Sequence, residues 1–445
     1  RRRARPLADG LRRGDAMSRM KPLQRRLLIA LAALVLIVGA VWALNVRDEA
    51  PIDPARTVAA SPGLIERGAY LARAGNCVTC HTERGGAPYA GGRGIDTPFG
   101  TVYASNLTPD EATGIGRWSA DHFWRALHNG RSFDGRLLYP AFPYPNYTQV
   151  TRDDADAIYA YLRSLPAVAQ PNRGHALRFP YDSQLALAAW RALFFTPGVY
   201  EAEPDQSAEW NRGAYLVGGL GHCSACHSAR NMFGATGGGL GLDGGLIPMQ
   251  NWYAPSLTAE SEAGVAHWKT EDVATLLATG VAPGASVLGP MAEVVFRSTQ
   301  YLNDADLHAM AVYLKALPPA EVPEPPDEIP LSTAQIEQGL AIYKDRCAQC
   351  HGDNGEGAPG AYPAIAGNRA LLMPSVANVV RTVLSGGFPP ATQGNPRPYG
   401  MPPFAQELSD ADVAAVVTAM RQSFGNLAPA VSALDVLRFR EGKGE

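Results

Sequence analysis

An all-α protein, built as three consecutive helical domains behind one N-terminal membrane-spanning helix, is what this 445-residue sequence predicts. Three observations carry that expectation. Residues 27–44 form an apolar run without a charge, the pattern C-x-x-C-H occurs at Cys77, Cys223 and Cys347, and a helix-start signature recurs downstream of each. The length suits about three domains of ordinary size. With 46% hydrophobic and 18% charged residues the chain can build packed cores, so wholesale disorder is excluded. The net charge is -3, to which residues 1–26 contribute +8, leaving -11 for the rest. An acidic body of that kind argues against nucleic acid as a partner.

The N-terminus comes first. The eighteen residues Leu27–Leu44 amount to about 27 Å of helix, enough to cross the hydrocarbon layer of a bilayer. Arg25 and Arg26 precede the run, and Asp48 and Glu49 follow it. The positive-inside rule places the basic segment 1–26 in the cytoplasm, the anchor at 27–45, and the remainder outside. A cleaved signal peptide is the alternative, but the run is long for one and lacks a clean small-x-small cleavage site.

All six cysteines fall in one motif: Cys77-Val78-Thr79-Cys80-His81, Cys223-Ser224-Ala225-Cys226-His227 and Cys347-Ala348-Gln349-Cys350-His351. Two thiols one helical turn apart can add to the two vinyl groups of a haem, and the adjoining histidine is then carried under the iron. A zinc ribbon needs its cysteine pairs close together, and a redox dithiol does not require the histidine. The expectation is three covalently bound c-type haems, with His81, His227 and His351 as iron ligands.

Local repeats divide the chain. Helices lead into each motif in RGAYLARAG, RGAYLVGGL and QGLAIYKDR, and helices close each unit from Thr151, Asn303 and Ser409. Each of those three residues is followed three positions later by Asp, an N-cap pattern. The predicted organisation is cytochrome c domains at 61–166, 207–318 and 331–426. A connecting segment at 167–206 carries an apolar helix in SQLALAAWRALFF (183–195), a Pro-rich linker lies at 319–330, and a tail follows at 427–445.

The second iron ligand is read from the loop before each closing helix. Met401, in Gly400-Met401-Pro402-Pro403, and Met291, in Gly289-Pro290-Met291, stand where a thioether can face the histidine. The first unit has Phe142 at that place, and phenylalanine cannot ligate iron. Aligned on Gly130, Gly280 and Gly386, His128 shares an inward register with Ala278 and Leu384, which makes it the first candidate for iron one. An open or externally ligated iron and His122 are the alternatives.

With these motifs the sequence resembles the membrane-bound triheme cytochrome c subunits of bacterial periplasmic dehydrogenases. The resemblance also rests on SNLTPDEATGIGRW (105–118), AEWNRGAYLVGGLGHCSACH (208–227), GPMAEVV (289–295) and GMPPFAQELSDADV (400–413). It implies an electron-transfer subunit in the inner membrane, with haem domains on the periplasmic side. Such a subunit takes electrons from a dehydrogenase catalytic subunit and passes them to ubiquinone or a terminal oxidase. The Phe142 loop and the helical anchor are similar to cytochromes accompanying molybdenum hydroxylase-type aldehyde dehydrogenases, in which the catalytic subunit works with an iron–sulfur partner. A quinoprotein alcohol dehydrogenase or a flavoprotein sugar dehydrogenase is the alternative donor. A peroxidase-like haem enzyme using an open first haem is the rival of another class.

Overall fold

The computed structural model describes residues 21–236, 241–320 and 332–440. Most of the basic N-terminal segment and of the Pro-rich linker lies outside the described residues. Helix Pro22–Val46 leads, and none of its apolar window is buried against protein. An apolar stretch that no part of the protein buries is suited to lipid.

Each unit is framed by two crossed helices, an opening one before the motif and a closing one at the end. The pairs are Pro62–Ala74 with Arg152–Ser164, Ala208–Tyr215 with Asp304–Lys315, and Thr333–Arg346 with Asp410–Gln422. The closing helices start where the caps predict. Side chains of Thr151, Asn303 and Ser409 accept from the backbone N–H of Asp154, Asp306 and Asp412, satisfying one otherwise orphaned donor each. At every crossing the opening helix carries a glycine: Gly68, Gly213 and Gly339. A Cβ there would lie 1.9, 2.0 and 2.1 Å from the carbonyl oxygens of Ala157, Ala309 and Ala415. Glycine inside a helix costs about 0.5–1 kcal/mol relative to alanine, and here it permits backbone to touch backbone.

The all-α expectation needs amending. Helices dominate, but the described residues include three small antiparallel sheets. Gly94–Thr97 pairs with Gly100–Tyr103, which also takes Ala176–Leu177; Gly245–Ile247 pairs with Trp252–Ala254, and Val281–Ala282 with Ala285–Ser286. Strands of two to four residues leave no periodicity to read.

The cores are shared unevenly. Leu71, Phe123, Ile158 and Leu162 of the first unit pack in one buried cluster with Leu216, Val273, Leu307 and Met310 of the second. The third unit has its own cluster around Tyr343, Val380, Val413 and Met420. It docks on the second through Asn378, whose side chain exchanges two hydrogen bonds with the backbone of Tyr253, at 2.9 and 2.7 Å. Asn146 of the first unit reaches into a π-helical turn, Leu216–Leu220, that continues the second opening helix. It donates to Gly218 O at 2.8 Å and to Ser224 Oγ at 2.8 Å, satisfying a carbonyl that the wider turn frees.

Candidate haem sites

The three C-x-x-C-H motifs fold alike. In each, the histidine N–H bonds back to the carbonyl of the first cysteine: His81 to Cys77 at 3.0 Å, His227 to Cys223 at 2.9 Å and His351 to Cys347 at 3.0 Å. One turn therefore gathers both thiols and the imidazole. Each ring is then held by its far nitrogen, with Nδ1 2.7 Å from Ser105 O in the first unit, 2.7 Å from Pro255 O in the second and 2.9 Å from Pro363 O in the third. A carbonyl only accepts, so Nδ1 carries the proton and Nε2 keeps its lone pair. That is the tautomer a metal ligand requires, oriented by the partner that metal-binding histidines usually have. Burial lowers the pKa of His81 and His227, which favours the neutral, ligating ring.

The thiols behave unlike a redox pair. Burial, with the neighbouring cysteine adding to it, pushes Cys77 and Cys223 up to about 12 and Cys347 to about 11, whereas reactive dithiols are depressed.

In front of His81 opens a cavity of about 2970 Å³, roughly three times the upper end for ordinary ligand sites. Its walls include Phe123, Leu127, Phe142, Ile158 and Leu162, with Arg93, Arg117 and Trp118 at its edges. The donor set and this apolar, roomy wall fit a covalently attached haem, which supplies one-electron redox chemistry when bound. The same cavity is also lined by Ala225, Cys226 and Glu293 of the second unit, so the first two sites communicate directly. Arg93 spans the gap: it donates to Thr79 O at 2.9 Å and to both oxygens of Glu293 at 2.8 and 3.1 Å.

The other predicted ligands are placed as follows. Met401 forms a reciprocal backbone bridge with Gly387 (2.8 and 3.0 Å) and packs on the third core, as Cys347 does. Met291 lies in the first turn of an additional helix, Gly289–Arg297, partly buried against the shared core that Cys223 also touches. His128 is buried, as its register suggests. Its ring stacks on Trp124 with centroids 4.6 Å apart, and its Nδ1 lies 2.9 Å from Thr148 O. From its helix, Phe123, Ala126 and Leu127 line the cavity and His128 does not. His122 caps its own helix through Ser119 and is likewise not among the lining residues.

Two cavity histidines escaped the sequence reading. His222 directly precedes Cys223, as Asn76 precedes Cys77, and both adopt a left-handed backbone with φ of 39° and 50°. That shared position was a usable signal. His175, in the connecting segment, had none. Its Nδ1 accepts from Tyr103 N–H at 3.1 Å, which puts the proton of a neutral ring on Nε2 and makes it a donor rather than a ligand.

Comparison with known proteins agrees with this chemistry. The Cytochrome c family matches residues 65–166 and 336–423. The chain is 39% identical over 401 residues to the alcohol dehydrogenase (quinone) cytochrome c subunit of Gluconobacter oxydans, covering 86% of this chain and 83% of that one. It is 37% identical over 400 residues to the gluconate 2-dehydrogenase cytochrome c subunit of Pantoea cypripedii, covering 86% and 90%. It is also 32% identical over 441 residues to the fructose dehydrogenase cytochrome subunit of Gluconobacter japonicus, covering 93% and 89%. With three haem-type motifs, their histidines held in the ligating tautomer and this extent of identity, the chain belongs to the electron-transferring cytochrome c subunits of bacterial dehydrogenase complexes.

Proposed function

We propose that this subunit is a membrane-anchored relay of three covalent c-type haems that accepts electrons from a periplasmic dehydrogenase catalytic subunit and delivers them to ubiquinone or a terminal oxidase. The observation that carries the relay is the repeated ring geometry of His81, His227 and His351. Three sites with the same donor set in one chain suit stepwise transfer, in which the protein sets orientation and spacing. The cavity shared by Cys80 and Cys226 provides the first link, and the Asn378–Tyr253 contact ties the third unit to the second. A molybdenum hydroxylase-type aldehyde dehydrogenase with an iron–sulfur partner is the donor we favour, on the Phe142 loop and the helical anchor.

Retention of the anchor is part of the proposal. Asn45, only 7% exposed, donates to Ala188 O at 2.9 Å and accepts from Arg191 Nε at 2.9 Å, where Arg191 is 3% exposed. Glu49 pairs with Arg131 at 2.9 Å. Cleavage at the end of the apolar run would remove Val41, to whose carbonyl Asn45 also donates at 2.8 Å, and would turn this buried residue into a charged chain end. Intact mass of the mature protein tests this together with the haem count. A mass including residues before Leu44 and three haems is expected; an N-terminus near Leu44, or two haems, overturns the corresponding part.

A second reading has one observation in its favour. Phe142 faces the cavity of His81, so iron one has no methionine in this loop, and we propose that it is open on that side. A haem enzyme would exploit such a site. Peroxide turnover by the isolated, fully loaded subunit separates the readings, and the relay predicts none above free haem.

A further inference from the structure

We infer that helix Gln184–Phe194 is a second membrane-contacting element, lying in the lipid interface beside the spanning helix and setting the first haem site close to the bilayer. This rests on the reading that Pro22–Val46 crosses the membrane. The helix is capped by Ser183 and packs on the last turns of the spanning helix. Asn45 bonds to Ala188 and Arg191, and Arg47 donates to Phe195 O.

Depth follows from length. The uncharged run Leu27–Leu44 provides about 27 Å of helix against a hydrocarbon layer of about 30 Å, so its final turn has to remain at or within the boundary. Whatever packs against Val41–Asn45 shares that depth. From Val41 to Val46 is about 7 Å along the axis, within the 5–10 Å to which interfacial helices sink.

The exposed surface of the helix suits that position. Leu185 and Leu193 are 76% and 74% exposed, Ala189 lies between them on the same face, and Phe179 just upstream is 85% exposed. Arg191 is the only charged residue between Ser183 and Phe195, and its guanidinium turns inward over the rings of Tyr144 and Phe195. Interfacial helices normally present a charged face to water; here the opposite face is docked on protein instead. Ala189 and Leu193 of this row lie where the exposed face meets the cavity of His81, which Trp190 and Phe194 also line, whereas Leu185 and Phe179 do not line it, so the helix stands at the border between lipid and the first site. A catalytic partner covering this face would have to penetrate the same depth of lipid.

The test uses the full, haem-loaded chain in vesicles of phosphatidylethanolamine and phosphatidylglycerol. Single cysteines at Ile37, Leu185, Leu193 and Leu427 carry a nitroxide, and the unmodified chain serves as the labelling blank. Collision with oxygen should exceed collision with a water-soluble nickel chelate at 37, 185 and 193, and the order should reverse at 427. If position 37 is in lipid while 185 and 193 behave like 427, this inference is overturned and the anchor stands. If 37 itself is aqueous, the spanning reading fails, and this inference with it.

Discussion

Tyr215 of the second unit donates a hydrogen bond to Asp154 of the first, 2.6 Å from hydroxyl to carboxylate. The relationship has a mirror: Tyr70 of the first unit donates to Asp306 of the second, also at 2.6 Å. Each aspartate is bound as well by the arginine of its own unit's opening helix, Asp154 by Arg67 and Asp306 by Arg212. The repeated string Arg-Gly-Ala-Tyr thus serves two purposes. Its arginine clasps the closing helix of its own unit, and its tyrosine reaches across to the other. This pseudo-symmetric clamp joins the first two sites into one body, while the third keeps a separate core.

Removing both hydroxyls should loosen the clamp without disturbing either haem motif. Tyr70→Phe with Tyr215→Phe is expected to cost about 1.5–3 kcal/mol for each lost bond to a charged acceptor. The guanidinium midpoint followed by far-ultraviolet circular dichroism should fall, with the haem content unchanged.

Acid should weaken the same contact. Burial alone would raise the pKa of Asp306, but hydrogen bonds from Arg212 and Tyr70 outweigh it and hold the group below the ordinary range. A depressed folded pKa means that the stabilisation is complete above the unfolded value, about 3.9, and is lost as pH falls through the lower folded value. Melting temperature should therefore drop below about pH 4, and Asp306→Asn should flatten that limb while lowering stability at neutral pH.

The helix crossings give a sharp contrast between two glycines of one helix. Gly68→Ala drives a methyl against Ala157 O and should cost at least the 1–3 kcal/mol typical of overpacking. Gly63→Ala, with nothing within 4 Å, should leave stability unchanged or slightly raised. Thermal unfolding of the two variants side by side decides the matter.

Carbon monoxide reports on iron one. The reduced protein should bind it at one haem in three, and Phe142→Met should abolish that binding by supplying a thioether. His128→Ala should leave carbon monoxide binding as it was and lower stability, because a buried stacked ring is lost. Binding that appears only in His128→Ala would restore the histidine as ligand.

Sequence by itself determined the chemistry and the helix ends. C-x-x-C-H is a local motif, closed within one turn, and the caps of Thr151, Asn303 and Ser409 act on an N–H three residues away. Even Phe142 was legible, because a missing thioether is a fact of composition. The tertiary structure alone decided the rest. Tyr70 and Asp306 lie 236 residues apart, and no pattern along the chain announces such a pair. The register of His128 revealed that it is buried but not which side of the helix meets the cavity, since an inward face can turn toward a neighbouring helix as readily as toward a haem. The short hairpins were hidden because their few residues are held by surroundings rather than by their own periodicity. Local bonds are written in neighbouring letters; the partnership of distant surfaces exists only once packing has brought them together.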